Sequence, residues 1–343
     1  VTAEARRRKP ADIVIAVIGI VAAIWVTYWY LANQMAFLAI DRAIDGAAKH
    51  GNIVACSPKV SRGFPLTLDV GCGGLRLADG DGGVSIASPG FSAKTPLYWP
   101  LRLTVSAAAP VSVKPPADGT GMTANWTNAS AHVEAGLRGL YGGTAELDNF
   151  VLGGPIDIPH LPLAGLKAGK ARLSLAPVPA KPGDYGLSVS LDGIAPQSAD
   201  ARVLPEISAT AQLTAFAIGK SLGLDPKRTF AAWAAKGGKA NLEAARLAIG
   251  PIVVNASGPL AVSPEGLLSG KVTVRFVNLE QLPAIIEALQ PGSRSAAAFA
   301  KLLMVVTKKV DTESGPARET VLNLSNGSLF FGIVPIGTIT PLL

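Results

Sequence analysis

Residues 13 to 32 read IVIAVIGIVAAIWVTYWYLA, twenty consecutive positions whose only ionisable side chains are Tyr28 and Tyr30. At about 1.5 Å of rise per residue such a helix is roughly 30 Å long, the thickness of a bilayer hydrocarbon core. In hydrocarbon a single segment satisfies its backbone amides only as a helix. Pro10 suits a first helical turn, where its missing N–H is not needed. Arg6, Arg7, Arg8 and Lys9 abut one end, whereas the other has only Arg42 and Lys49, offset by Asp41 and Asp45. The bias predicts a basic cytoplasmic tail over 1–12, a single span over 13–32 and the remainder outside an inner membrane. Trp25, Tyr28, Trp29 and Tyr30 gather at the outer end and are expected to anchor it at headgroup level. A cleaved signal peptide fits less well, because its apolar stretch is shorter and a small-x-small site should stand where Trp and Tyr crowd.

Past the span, residues 33–52 keep helical spacing through Met35, Leu38, Ala39 and Ala43, which predicts an amphipathic stalk ending near Gly51. The pattern then changes period. Leu66, Leu68, Val70 and Cys72 alternate with polar or small residues, and so do Leu101, Leu103 and Val105; Leu173 and Leu175; Leu187, Val189 and Leu191; and Val272, Val274 and Phe276. Alternation gives each strand one apolar and one wet face. Turn signals such as Gly80-Asp81-Gly82-Gly83 and Pro182-Gly183-Asp184 predict antiparallel meanders, with no βαβ pattern. Helical islands are expected near 221–237, where Phe230 and Trp233 stand three apart, and near 279–310. The second carries a stripe of Phe299, Leu302, Leu303, Val306 and Val310, broken at Pro291-Gly292. Strand-strand-helix units at 198–236 and 240–310 form a faint internal repeat. The fold class is therefore mainly β (α+β): a transmembrane helix, then over 53–343 an elongated, curved antiparallel sheet with a few packed helices.

Composition narrows the function classes. The net charge is +7, and the N-terminal cluster supplies four of the cations, so no basic stripe interleaved with aromatics remains for nucleic acid. Three His and two Cys, widely scattered, make no metal-ligand cluster, and no metal or other cofactor is expected. His50, His132 and His160 lack a partner at motif spacing, and no GxSxG, HExxH, Walker A or GxGxxG occurs. Glu134, Glu146 and Asp148 read as solvated strand positions. The chain reads as non-enzymatic; a hydrolase of envelope polymers would need distant Asp, Glu or His brought together in a pocket. The sequons at Asn125 and Asn128 are chance composition in a bacterial envelope. Cys56 and Cys72 would pair in an oxidising periplasm, and two free, buried thiols on neighbouring strands is the alternative.

With aromatics at 6% and charged residues at 16%, Ala and Gly fill much of the interior. Helices this rich in Ala are not expected to cover every strand, which leaves an apolar trough for lipid or another amphiphile. The expected lining is Leu101, Leu103, Val105, Leu173, Leu175, Leu187, Val189, Leu191, Val272, Val274 and Phe276, although each position alone reads as closed core. The alternative is a scaffold subunit whose sheet edge, helical islands or span, through Gly19 and Ala22-Ala23, docks another envelope protein.

The single span, Cys56, GFPLTLDVGC at 63–72 and the ending VLNLSNGSLFFGIVPIGTITPLL at 321–343 resemble an uncharacterised alphaproteobacterial single-span envelope family, a domain of unknown function. The ending resembles its closing strand pair, punctuated by Gly327, Gly332 and Gly337. In that family Pro closely follows the last Gly; here Thr338-Ile339-Thr340 intervenes. More distantly the chain is similar to AsmA-like proteins, whose curved sheets are associated with handling lipids between two membranes. The resemblance implies architecture and carries over no catalytic residue.

Overall fold

The computed structural model describes residues 10–49, 52–79, 83–115, 120–136, 139–156, 162–179, 181–200, 202–223, 225–289, 298, 301, 303–312, 315–332 and 334–342. The basic cluster, His50, the turn at 80–82, His160, Pro291-Gly292, Phe299 and Leu302 lie outside the described residues.

A single helix, α1 (Pro10–Ala48), joins the expected span and stalk without a break. It is long and apolar enough to cross a membrane, and its span residues are not buried by the rest of the chain. A mainly antiparallel sheet follows, with twenty-one strands among the described residues. Its first part comprises β1 (Asn52–Cys56), β2 (Lys59–Arg62), β3 (Thr67–Cys72), β4 (Leu75–Asp79), β5 (Ser85–Ser88), β6 (Phe91–Pro96), β7 (Arg102–Ala107), β8 (Val111–Lys114), β9 (Met122–Asn125) and β10 (Asn128–Gly136). Longer strands follow: β11 (Gly139–Ile156), β12 (Leu163–Pro177), β13 (Tyr185–Ser198), β14 (Ile207–Phe216), β15 (Gly238–Ile249), β16 (Ile252–Val262) and β17 (Leu268–Val277). The chain ends in β18 (Lys308–Thr312), β19 (Gly315–Ser325), β20 (Ser328–Phe331) and β21 (Val334–Thr338). Among the described residues the strands are interrupted by the short helices α2 (Pro226–Ala234) and α3 (Leu282–Leu289), and residues 303–306 are helical as well.

The trunk of the sheet is a continuous meander from β10 through β17, with β19 on the far side of β17. At β11 the other end forks. Residues up to Asp148 pair with β10, whereas Val151 to Gly153 pair with β9, and between them Asn149 takes φ 51°. One branch runs β10–β7–β6–β3–β2 and the other β9–β8–β5–β4–β1. Cys56 and Cys72 stand at disulfide distance and tie β1 of one branch to β3 of the other. Register shifts at Glu134/Ala135, Leu191/Ile194, Gln212/Leu213 and Leu242/Ala245 insert bulges, and bulges bend and twist the strands that carry them. The sheet is accordingly curved and does not close.

Several boundaries differ from the sequence reading. The helical island near 279–310 ends before Lys308, where β18 begins, so Val310 is a strand residue that pairs with Ala317. In β18 Lys308 and Val310 share one face and Lys309 and Asp311 the other, and the hydrogen bonds of β19 claim a segment whose apolar spacing also suits a helix. Residues 198–236 hold one complete strand before α2 whereas 240–310 hold three before α3, so the two units are not equivalent. The closing strand pair is three strands, and Asn326 and Gly327, at φ 46° and 80°, form the two-residue turn between β19 and β20 that requires left-handed backbone.

Candidate functional site

Cross-strand register shows what the alternating segments build together. Val70, Ala93, Val105, Ala131, Ala145, Leu173, Val189, Ala211, Ala245, Ala256 and Val274 are successive partners from β3 to β17, one unbroken apolar row. Two further rows flank it. One runs Leu103, Val133, Gly143, Leu175, Leu187 and Leu213; the other Leu147, Ala171, Leu191, Ala209, Leu247, Val254 and Phe276. Side chains two apart share a face, so ten of the eleven expected lining residues stand on one side of the sheet, and Leu101 lies in the turn just before β7.

The opposite side is polar from strand to strand. Thr104, His132, Thr144, Ser174, Ser188 and Gln212 form a facing row, with 3.0 Å between Thr104 Oγ1 and His132 Nδ1 and 2.7 Å between the hydroxyls of Ser174 and Ser188. The carboxylates read as merely solvated are partnered: Glu134 with Arg102 at 3.0 Å, Glu146 with Arg172 at 2.7 Å and Asp148 with Lys170 at 3.6 Å. Exposed pairs of this kind contribute little energy but fix which face meets water.

Three covers lie on the apolar face. At its β3 end, Trp25, Trp29, Ala32, Ala36 and Phe37 of α1 pack on Leu68, Val70 and Leu97. At one edge of β14–β17, Phe230, Trp233 and Ala234 of α2 pack with Ala215, Ala240, Val262 and Leu268. Asp225 caps this helix by accepting from the amides of Lys227 and Arg228, and the Trp233 indole donates to Phe216 O at 2.8 Å. At the other edge, Leu279, Leu282, Leu303, Met304 and Val306 close over Phe276, Leu322 and Phe331. Arg318 fastens this last cover: Nη1 donates to Met304 O at 2.7 Å and Thr307 O at 3.3 Å, and Nε donates to Glu280 at 3.3 Å.

Between the covers the face is open. Leu173 is 46% exposed and Leu247 37%, and Leu101 and Leu103 are also exposed, while Val105, Leu175, Leu187, Val189, Leu191 and Phe276 are half-buried. Val272 and Val274, at 8% and 5%, are closed core instead. The reason is position: β17 has Leu268 beneath α2 and Phe276 beneath the C-terminal cover, and the two valines lie between them on the same face.

The four aromatic residues of the helix end divide. Trp25 Nε1 donates to Pro65 O at 2.8 Å, Trp29 Nε1 to Thr67 O at 3.0 Å and Tyr28 Oη to Leu97 O at 3.4 Å, whereas Tyr30 is exposed. Three of the rings thus join helix to sheet. The stalk is likewise docked, with Asp41 paired to Lys59, through a stripe of Ala32, Ala36 and Phe37 rather than through Met35 and Leu38, which face outward.

Residues that escaped the sequence reading are the alanines at 131, 145, 211, 245 and 256, too small to register in a search for alternating Leu and Val, and the exposed loop residues Phe64, Tyr98 and Trp99; Leu66, expected to open an alternating strand, lies exposed in the turn before β3. Among the described residues no group of three or more His, Cys, Asp or Glu could hold a metal. Burial, and secondarily Tyr141, pushes the Tyr185 phenol up. Hydrogen bonds from Arg202 and Ser198 hold the exposed Asp200 carboxyl at about 2. No curated protein and no solved structure matches the chain. A bacterial family described as "Uncharacterized protein conserved in bacteria (DUF2125)" matches residues 29–340, from the docked end of α1 to just past the last strand, and the chain belongs to that family.

Proposed function

We propose that this protein is a non-enzymatic periplasmic component, held by α1 in the inner membrane with its N-terminus cytoplasmic, that binds or passes lipid or another amphiphile along the apolar face of its sheet. The observation that carries the reading is the unbroken row from Val70 to Val274, covered at its ends and open at Leu173. Every methylene that such a surface removes from water contributes about 0.8 kcal/mol, so an acyl chain can be held with no polar chemistry. An extended exposed apolar strip rimmed by charge is unusual on a chain that meets only water. The Cys56–Cys72 disulfide supports an oxidising compartment. AsmA-like proteins offer an architectural analogy, a curved sheet after one span, and analogy of fold does not fix a task.

Mass spectrometry of lipids carried by the detergent-purified chain tests this, with a Leu173→Asp, Leu247→Asp variant as comparison. Both substitutions lie at exposed positions, so fold and the annular lipid around α1 should be retained while bound lipid falls at least fivefold. Equal lipid in both proteins would exclude the sheet face as the site.

A further inference from the structure

We infer that the loops β2–β3 and β6–β7 form a second membrane contact, inserting Phe64, Leu66, Tyr98 and Trp99 into the outer interface of the bilayer that α1 crosses. The four side chains are exposed, Tyr98 by 70% and Trp99 by 56%, in two adjacent loops of an otherwise small-residue protein. The loops are adjacent because β3 pairs with β6, Thr67 opposite Pro96, and Leu97 N donates to Leu66 O at 3.0 Å.

Their depth follows from hydrogen bonds already described. Pro65 is held by the Trp25 indole, Leu97 by Tyr28 and Thr67 by Trp29, and Phe64 meets the Trp29 ring edge-on at 5.5 Å. Trp25 is twelve residues past Ile13, roughly 18 Å along the helix. A span of about 30 Å that starts at Ile13 therefore ends roughly 10 Å beyond the level at which Pro65 is tied. The helix cannot slide outward by two turns to lift the loops clear, because Asp12 and Lys9 would enter the hydrocarbon, at a cost of about 2.5 kcal/mol or more each. The loops thus meet the outer acyl region beside α1, where the side chains of Trp, Tyr, Phe and Leu are favoured, bare charge is not, and the carbonyls of Pro65, Thr67 and Leu97 are satisfied by Trp25, Trp29 and Tyr28. Neither loop carries a charged residue between Phe64 and Leu66 or between Leu97 and Leu101. The occupant of this patch is lipid at the headgroup and upper acyl level. From Trp99 the chain leads through Leu101 into β7, where Leu103 and Val105 enter the apolar rows, so those rows begin beside the loops.

The inference rests on α1 crossing the membrane, and one experiment separates the two. The full chain, with its disulfide intact, is reconstituted into phosphatidylcholine and phosphatidylglycerol vesicles with a single nitroxide label at Tyr98→Cys, Ile20→Cys or Val203→Cys, the last 92% exposed and away from α1. Accessibility to oxygen and to a water-soluble nickel chelate is then compared. The expected result is a label at 20 near the bilayer centre, one at 98 shielded from nickel at least fivefold relative to 203, and one at 203 freely accessible. A label at 98 as accessible to nickel as that at 203, with 20 still in lipid, overturns the second contact and leaves the span and the lipid-binding face standing. Nickel access at 20 overturns both the span and the inference.

Discussion

Leu173 and Val274 stand on the same apolar row, one 46% exposed and the other 5%, and the difference gives two separate outcomes for one substitution. At Leu173 an aspartate keeps its hydration, so Leu173→Asp should change stability by no more than about 1 kcal/mol. At Val274 the same carboxylate is buried opposite Thr320, where Arg318 on the same face is already engaged by Met304 O, Thr307 O and Glu280, and should cost about 3 kcal/mol or more. Denaturant midpoints with unchanged slopes check both values. Sequence alternation assigned both residues to the right face, because periodicity reports direction. It could not tell open from closed, because that depends on which distant segment lies above. Glu280 illustrates the same gap: its own backbone amide, and then Arg318 outweighed in part by desolvation, hold its carboxyl below the usual range. A depressed carboxylate stabilises the fold above its unfolded pKa, about 4.3, and that contribution is lost as pH falls through the lower folded value. Hydrogen exchange over 303–312 should therefore accelerate on acidification below about pH 4. Arg318→Met should weaken that pH dependence and expose Met304 O and Thr307 O, at about 1–3 kcal/mol for a buried unsatisfied acceptor.

Among elements, helices and strands of one period were legible and their joints were not. The helix α1 is uniformly apolar over its first half, so hydropathy found it, yet the face that docks on β3 and β6 is made of Ala32, Ala36 and Phe37, which no apolar stripe advertised. Gly250-Pro251 and Pro264-Glu265-Gly266 mark the bends between β15, β16 and β17, where local turn chemistry suffices. The fork at β11 was invisible, because it depends on one left-handed Asn149 and on which of two strands reaches the edge first. The disulfide holds that fork together. It joins the branches across a sequence separation of 16, for which the loop-entropy estimate is about 3 kcal/mol. Reduction, or Cys56→Ser with Cys72→Ser, should lower the unfolding free energy by about that amount. Exchange protection should be lost first in β1 and β4, whose ladder reaches the trunk of the sheet through β5, with the bridge, the Gly73–Pro58 hydrogen bond and α1 as their other ties among the described residues. Equal loss of protection in β14 and β15 would show that the branches do not unfold as separate units.

At the scale of the whole molecule the two faces make different promises. One is laced by Arg102–Glu134, Arg172–Glu146 and Arg275–Glu319 and suits water; the other runs from the aromatic joint with α1 to the C-terminal cover and suits hydrocarbon. A photo-reactive side chain placed along the rows reads this directly. Inserted at Leu103, Leu173 or Leu247 it should cross-link lipid in membranes, whereas at Ser190 or Thr210, which pair with each other on the polar face, it should not. A block then distinguishes passage from storage. If lipid moves inward from the end held at the bilayer by α1, Leu173→Asp leaves cross-linking at 103 intact and reduces it at 247 at least fivefold. If the face is a store filled from either end, both sites keep their cross-links. Equal labelling at 190 and 173 would contradict an apolar-face site altogether, because the alternation that separates those residues is set by the pleat of the sheet.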